Sequence, residues 1–170
     1  ATQYNPDVFL FSEDDFVLCP LGMFTFEYLI RKVTSYFSDW LSIRISFGLN
    51  GLFIRGGDVM ALADYMEKHQ QRRPPDHLAV EWFGGENDES AAYKSGRPHV
   101  GFKHNILDHI GVISTLRNAK SPGYPRCWEP LGQPTNFKVE SYDAKACPND
   151  DVSPCPNNVA FGALLQPPKF

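Results

Sequence analysis

The sequence predicts an α/β fold, in which a partial mixed sheet is flanked by helices and followed by a loop-rich, disulfide-bonded C-terminal tail. Short apolar or alternating runs separated by turns predict strands, and apolar residues at helical spacing predict helices. Beyond residue 120 the composition shifts to Pro, Gly, Asn and Cys. We therefore expect residues 1–120 to form the folded half that carries the site, and residues 121–170 to form an irregular tail.

The order of the elements follows from apolar patterning. Val8–Phe11 is an apolar run that ends in acidic residues, which predicts a fully buried strand with acids at its C-terminal end. Helical spacing predicts a helix from Met23 to Phe37, and alternation predicts a strand from Trp40 to Phe47. Further expected elements are a turn at residues 48–51, a strand at Leu52–Ile54, a helix capped by Asp58, a helix capped by Asp76 and a strand at His99–Phe102.

The four cysteines predict two disulfides and an oxidising compartment. Cys147 and Cys155 flank a short polar loop, so we expect them to pair, and Cys19 then pairs with Cys127 by elimination. The spacing contains no close CxxC pair and does not fit a zinc ribbon. Four reduced thiols in a cytosolic protein are the alternative.

Charge and motifs exclude several classes of function. A net charge of -4 gives no general attraction to nucleic acid or to an anionic membrane. The sequence lacks the GxSxG, P-loop, HExxH and dinucleotide-binding motifs. No stretch is long and apolar enough to predict a transmembrane helix.

The acidic triplet Glu13-Asp14-Asp15 is the first candidate site. Adjacent carboxylates repel one another, and a bound cation offsets that repulsion. Carboxylate oxygens suit Mg²⁺ or Mn²⁺, which also bind phosphate oxygens of a substrate. Ligands bind at the carboxyl ends of strands in open α/β sheets, where this triplet is expected. A solvated loop or a helix-capping cluster is the alternative.

Two further acids, Asp76 and Glu81, lie on one predicted helix. Asp76 is at the helix start, where a carboxylate is stabilised by the helix dipole. Glu81 lies among Val80, Trp82 and Phe83, so we expect its pKa to be raised, as suits a general base. A capping acid and a surface acid are the alternative.

His109 and two glycines complete the candidates. His109 lies in an apolar run, where a histidine is either a hydrogen-bonded core residue or a metal ligand. Gly48 and Gly51 lie between two predicted strands, where glycine permits close approach to a sugar or phosphate but also forms plain turns.

In this order, the motifs resemble the N-acetylglucosaminyltransferase IV family. Its members are inverting, metal-dependent glycosyltransferases of GT-A fold that act in the Golgi lumen. The resemblance spans Val8 to Lys120 and implies a partial GT-A-like sheet. It is carried by Ser12–Asp15, Asp39-Trp40-Leu41, Phe47-Gly48, Gly51, Phe53-Ile54 with Asp58, Pro74–Leu78, Asp108–Gly111 and Ser114–Leu116.

The resemblance implies a Mn²⁺ or Mg²⁺ ion and a UDP-sugar donor, with an N-acetylhexosamine as the expected sugar and a glycan or glycoprotein as acceptor. Asp15 and His109 are the implied metal ligands, and Glu13 and Asp14 would orient the metal's waters or the ribose. Gly48 and Gly51 would border the acceptor, and Glu81 or Asp76 would deprotonate its hydroxyl, with Glu81 favoured.

A complete GT-A domain has a nucleotide-binding half before its acidic motif, and only about a dozen residues precede the triplet in this sequence. We therefore expect that half to come from another segment or from a partner chain. The alternative function is an inactive, glycosyltransferase-like structural or interaction module within a larger assembly. A lectin-like sugar binder with stacking aromatic residues is a third possibility.

Overall fold

The computed structural model describes residues 6–47, 50–111, 113–114, 119–120, 124–131, 138–140 and 142–156. Four helices and nine strands form within these ranges, in an α/β arrangement. The strands are β1 (Val8–Phe11), β2 (Phe16–Leu18), β3 (Ser42–Arg44), β4 (Leu52–Arg55), β5 (His99–Phe102), β6 (Leu107–His109), β7 (Ile113–Ser114), β8 (Ala119–Lys120) and β9 (Val152–Ser153). The helices are α1 (Gly22–Tyr36), α2 (Val59–His69), α3 (Pro75–Gly84) and α4 (Asp88–Lys94).

The main sheet is mixed and has five strands in the order β1-β4-β3-β5-β9. β4 is antiparallel to both β1 and β3, whereas β5 is parallel to β3. Strands β1, β3 and β5 therefore run in the same direction and end at the same edge. We call this the carboxyl edge, and it carries the loop after β1 in which the acidic triplet lies. Two small antiparallel pairs, β2–β6 and β7–β8, stand outside the main sheet.

Two apolar clusters cover the two faces of the sheet. On one face, Leu29 and Val33 of α1 pack with Ile43 and other residues of the sheet. On the other face, Leu62 of α2 and Trp82 of α3 pack with Leu41, Leu52 and Ile54. The expectation of a mixed sheet flanked by helices is confirmed. Helices on both faces explain why β3 is buried at every position.

The expectation that Val8–Phe11 is fully buried is wrong. β1 is the edge strand of the main sheet and pairs with β4 alone. Phe9 is 37% and Leu10 40% exposed. An apolar run of four residues is typical of a buried strand, but it does not reveal whether a neighbour covers both of its sides.

Three local expectations also need correction. The strand expected over Trp40–Phe47 is limited to Ser42–Arg44. Asp58 precedes α2, yet its carboxylate caps no helical N–H and accepts hydrogen bonds from Arg97 and Tyr93 instead. Asp76 is not a cap either: Pro74 precedes α3, and Asp76 lies within the first helical turn.

The tail contributes to the core through β9. This strand pairs with β5, and Val152 is completely buried. Next to it, the buried ammonium group of Lys32 on α1 lies 2.7 Å from Asp150 and 2.5 Å from Asp151. Ion pairs of this kind hold the tail against α1.

Both expected disulfides form, Cys19–Cys127 and Cys147–Cys155. They fit a protein of the secretory pathway or the cell exterior. Within the described part of the chain, no helix has the length and apolar character needed to cross a membrane.

Candidate functional site

The candidate site lies at the carboxyl edge of the sheet, in the loops that follow β1 and β3. The triplet begins two residues after β1 ends. The backbone N–H of Glu13 donates to Asn50 Oδ1 at 2.6 Å, and the N–H of Gly51 donates to the carbonyl oxygen of Phe11 at 2.9 Å. These two bonds fix the triplet loop against the turn that joins β3 to β4.

Asp15 and His109 lie together although they are 94 residues apart in the chain. The distance from Asp15 Oδ2 to His109 Nε2 is 3.0 Å. The pairing of β2 with β6 places Phe16 opposite His109, and the N–H of Ile110 donates to the carbonyl oxygen of Asp15 at 2.9 Å. Backbone pairing on both sides of the contact therefore positions the two side chains.

Neighbouring rings hold the His109 imidazole in place. Its ring centroid lies 4.8 Å from that of Phe16 and 4.7 Å from that of Tyr124. The Cys19–Cys127 disulfide fixes the segment that carries Tyr124. The His109 side chain is only 12% exposed, whereas Asp15 is 41% exposed, so the pair opens to solvent on the Asp15 side.

Gly111 permits this close contact. A Cβ atom at residue 111 would lie 2.4 Å from Asp15 Oδ2 and 2.8 Å from His109 Nε2. Neither atom can keep its position against a methyl group at such distances, so the pair needs glycine here.

We expect the Gly111→Ala variant to lose about 1–2 kcal/mol of unfolding free energy, because the added methyl group overpacks the contact. The ring resonances of His109 should shift as the imidazole moves. Urea unfolding and NMR of the histidine rings measure the two effects. Gly57→Ala is the matched control, because a Cβ atom there meets nothing within 4 Å. Unchanged His109 resonances in the Gly111 variant would contradict the expectation.

The other members of the triplet face solvent. Glu13 and Asp14 are both exposed, in the same loop as the partly buried Asp15. Gly51 has a φ of +65°, and a Cβ atom there would lie 2.6 Å from Ile45 Cγ1, so the turn itself requires glycine. Gly48 lies outside the described residues.

Glu81 is a buried structural anion. Its side chain is 2% exposed, and it accepts hydrogen bonds from Tyr65, Arg72 and Asn87. Arg73 lies 3.0 Å from the same carboxylate. The bond from Arg72 is the main cause that lowers the pKa of Glu81 to about 2, although burial opposes it. The expectation of a raised pKa is therefore wrong, and the arginines explain why.

Asp76 differs from Glu81 in being accessible. Its side chain is 52% exposed, and it lies in the first turn of α3. Near the other end of α3, the ring of Phe83 stacks at 5.3 Å on His99, which is opposite Ser42 where β3 and β5 begin.

The Asp15–His109 pair fits a partial metal site. No group of three or more His, Cys, Asp or Glu side chains converges in the ranges that the structure describes. Two ligands about 2.1 Å from one ion and at right angles to each other are about 3 Å apart, which matches the pair. Asp15 Oδ1 is buried and has no hydrogen-bond partner among the described residues. Mg²⁺ and Mn²⁺ accept one or two protein ligands when phosphate and water complete the shell.

An open pocket at the opposite edge of the sheet is separate from this site. It lies where β1 begins and β4 ends, and its walls include Asp39, Arg55 and Arg97. Its arginines are already paired, Arg55 with Asp39 and Arg97 with Asp58. Among the described lining residues, none belongs to the predicted site.

The sequence predicts Asp15 and His109 as candidates, and it does not predict the residues that position them. Asn50 and Tyr124 give no signal, because their partners lie far away in the chain. Gly111 enters the prediction only as part of the motif Asp108–Gly111. Comparisons with protein-family models, curated proteins and solved structures find no match to this chain. The resemblance to the N-acetylglucosaminyltransferase IV family stays a prediction, and a functional assignment depends on the site itself.

Proposed function

We propose that this chain is the metal- and acceptor-binding half of an inverting glycosyltransferase that uses a UDP-sugar, with an N-acetylhexosamine as the expected sugar and a glycan as acceptor. The observation that carries the proposal is the Asp15–His109 pair at the carboxyl edge. The two disulfides support action in the secretory pathway, for which the Golgi lumen is the proposed site.

Asp15 and His109 would hold Mn²⁺ or Mg²⁺. The ion would offset the negative charge that develops on the leaving diphosphate. Glu13 and Asp14, exposed beside the pair, are free to orient water or the ribose hydroxyls.

Asp76 is the base that we propose, in preference to Glu81. The Asp76 carboxylate is exposed, whereas Glu81 is occupied by two arginines, a tyrosine and an asparagine. Asp76 takes the proton of the acceptor hydroxyl, and the oxygen forms a bond to the anomeric carbon. The bond from that carbon to the diphosphate oxygen breaks, and the nucleoside diphosphate leaves.

The proposal is tested by measuring Mn²⁺ binding and sugar transfer with the intact protein that contains this chain. We expect Asp15→Asn to weaken Mn²⁺ binding roughly 10–100-fold and to reduce transfer from UDP-N-acetylglucosamine accordingly, because the amide carries no charge. Calorimetry with Mn²⁺ and UDP, and a transfer assay, measure the two effects. Asp64→Asn, an exposed residue on α2, is the control with the same change in charge. Full activity of the Asp15 variant would disprove the proposal.

The second candidate is an inactive interaction module. It is favoured by an apolar surface at the start of α1, where Leu21 is 69%, Met23 66% and Phe24 74% exposed. Three exposed apolar residues within four positions of the chain indicate a contact surface. Micromolar binding of Mn²⁺ with UDP would count against this alternative.

A further inference from the structure

Four buried side-chain atoms have no hydrogen-bond partner among the described residues, and all of them lie at the carboxyl edge. One is Asp15 Oδ1, in the loop after β1. The others are Nε and Nη2 of Arg44, the last residue of β3, and Oγ of Ser46, just after it. Unpartnered buried polar groups are uncommon and costly, so their gathering at one edge indicates a binding function.

Arg44 is the most unusual of these residues. Its side chain is 1% exposed, and within the described residues its one hydrogen bond runs from Nη1 to the carbonyl oxygen of Ser46, at 2.9 Å. The unpartnered Nε and Nη2 form the edge of the guanidinium that matches two oxygens of a carboxylate or a phosphate. Ser46, which Arg44 contacts, adds an unpartnered hydroxyl to this edge.

Glu140 supplies the counter-charge that acts on Arg44. Burial lowers the pKa of Arg44 to about 10, so the guanidinium stays charged, and the charge of Glu140 opposes that lowering. His99, which is hydrogen-bonded to Ser42, is neutral, because burial and then the charges of Arg44 and Lys94 lower its pKa to about 3. The imidazole of His99 therefore adds no charge to this region.

Glu140 lies in a short 3-10 turn, Lys138–Glu140, that packs against α3. Its side chain is buried, at 5% exposure, and its charge acts on Arg44. A displaced turn would expose the guanidinium, and the oxygens of an incoming anion would then take the place of the Glu140 charge.

We propose that Arg44 and Ser46 bind an anionic oxygen group of a ligand, a phosphate or a carboxylate, at the carboxyl edge, in exchange for the counter-charge of Glu140. The role of such a group rests on the proposed function: a phosphate would belong to the sugar donor, and a carboxylate to an acidic sugar of the acceptor. The binding itself needs neither a donor nor a metal ion, and can be measured separately.

The experiment is calorimetric titration of the intact protein, in the presence of EDTA, with inorganic pyrophosphate and separately with glucuronate. We expect one of the two to bind, which identifies the group. Arg44→Lys keeps the charge but loses the planar pair of donors, and should weaken binding about tenfold. Glu140→Gln removes the competing charge and should strengthen it severalfold. Arg55→Lys, at the opposite edge, is the matched control and should change nothing.

Binding of neither anion, or unchanged affinity in the Arg44 variant, would overturn the proposal. If Arg44→Lys does not fold, Glu140→Gln provides the test, because an unchanged anion affinity in that variant would also contradict the proposal. Asp15→Asn separates this inference from the proposed function: that variant should lose Mn²⁺ binding and keep anion binding. If either Mn²⁺ binding or anion binding is not observed, the other can still be measured.

Discussion

Replacing Glu81 with glutamine is expected to lower the free energy of unfolding by about 2 kcal/mol at pH 7. The glutamine side chain has the same size, but it loses the charge that Arg72 and Arg73 surround. One amide oxygen still accepts from Tyr65, so part of the network survives. Urea unfolding of both proteins at pH 7 measures the loss.

The pH dependence gives this prediction a second readout. The pKa of Glu81 is lowered from 4.5 to about 2 in the folded protein, so the stability that its charge provides is present above pH 4.5. That contribution, about 3 kcal/mol by linkage, is lost as the pH falls from 4.5 toward 2. The glutamine variant should therefore show a shallower acid dependence than the wild type, and the difference in stability between the two proteins should shrink as the pH falls below 4.5.

Glu89→Gln is the matched control for Glu81→Gln. Glu89 is 45% exposed and pairs with Lys68 at 2.9 Å, so the same change of charge occurs at the surface. We expect Glu89→Gln to cost much less than Glu81→Gln, because solvent screens an exposed ion pair. Equal losses in the two variants would show that the buried network of Glu81 contributes nothing beyond a surface ion pair.

The sequence around Glu81 does not predict the direction of its pKa shift. Its neighbours in the chain are apolar, and a carboxylate among apolar residues has a raised pKa. Its real partners, Tyr65 on α2, the arginines before α3 and Asn87 before α4, come from three separate segments. These partners, which lie outside α3, reverse the direction of the pKa shift, and the apolar pattern around Glu81 does not indicate them.

The burial of Arg44 is likewise not predicted by the sequence of its strand. Alternating polar residues along Trp40–Phe47 predict a strand with two different faces, of which the structure forms Ser42–Arg44. Helices α2 and α3 cover the polar face, so this face is also buried, and the alternating pattern does not show that.

By contrast, the pairing of Cys147 with Cys155 follows from local spacing, and the sequence predicts it correctly. The contact of Asp15 with His109 is long-range, and only the resemblance, which implies that both residues bind one ion, places the two together.

Removing the Cys19–Cys127 disulfide, by the double change Cys19→Ala and Cys127→Ala, is expected to have the largest effect on stability. The bond joins residues 108 apart in sequence, and closing a loop of that length contributes about 5 kcal/mol in the chain-entropy model. Cys147 and Cys155 are only 8 apart, which gives about 2.5 kcal/mol. Urea unfolding of the two double variants should therefore show roughly a twofold difference in the loss, and equal losses would contradict the model.

The same disulfide also matters for the site. Residues 124–131 form no helix or strand of their own, and the bond from Cys127 to the buried Cys19 attaches them to the start of α1. Tyr124 on this segment covers the ring of His109. Loss of the bond should therefore shift the His109 resonances even where the protein remains folded, whereas loss of Cys147–Cys155 should leave them unchanged. A shift in both variants would mean that the tail as a whole, rather than this one segment, positions the histidine.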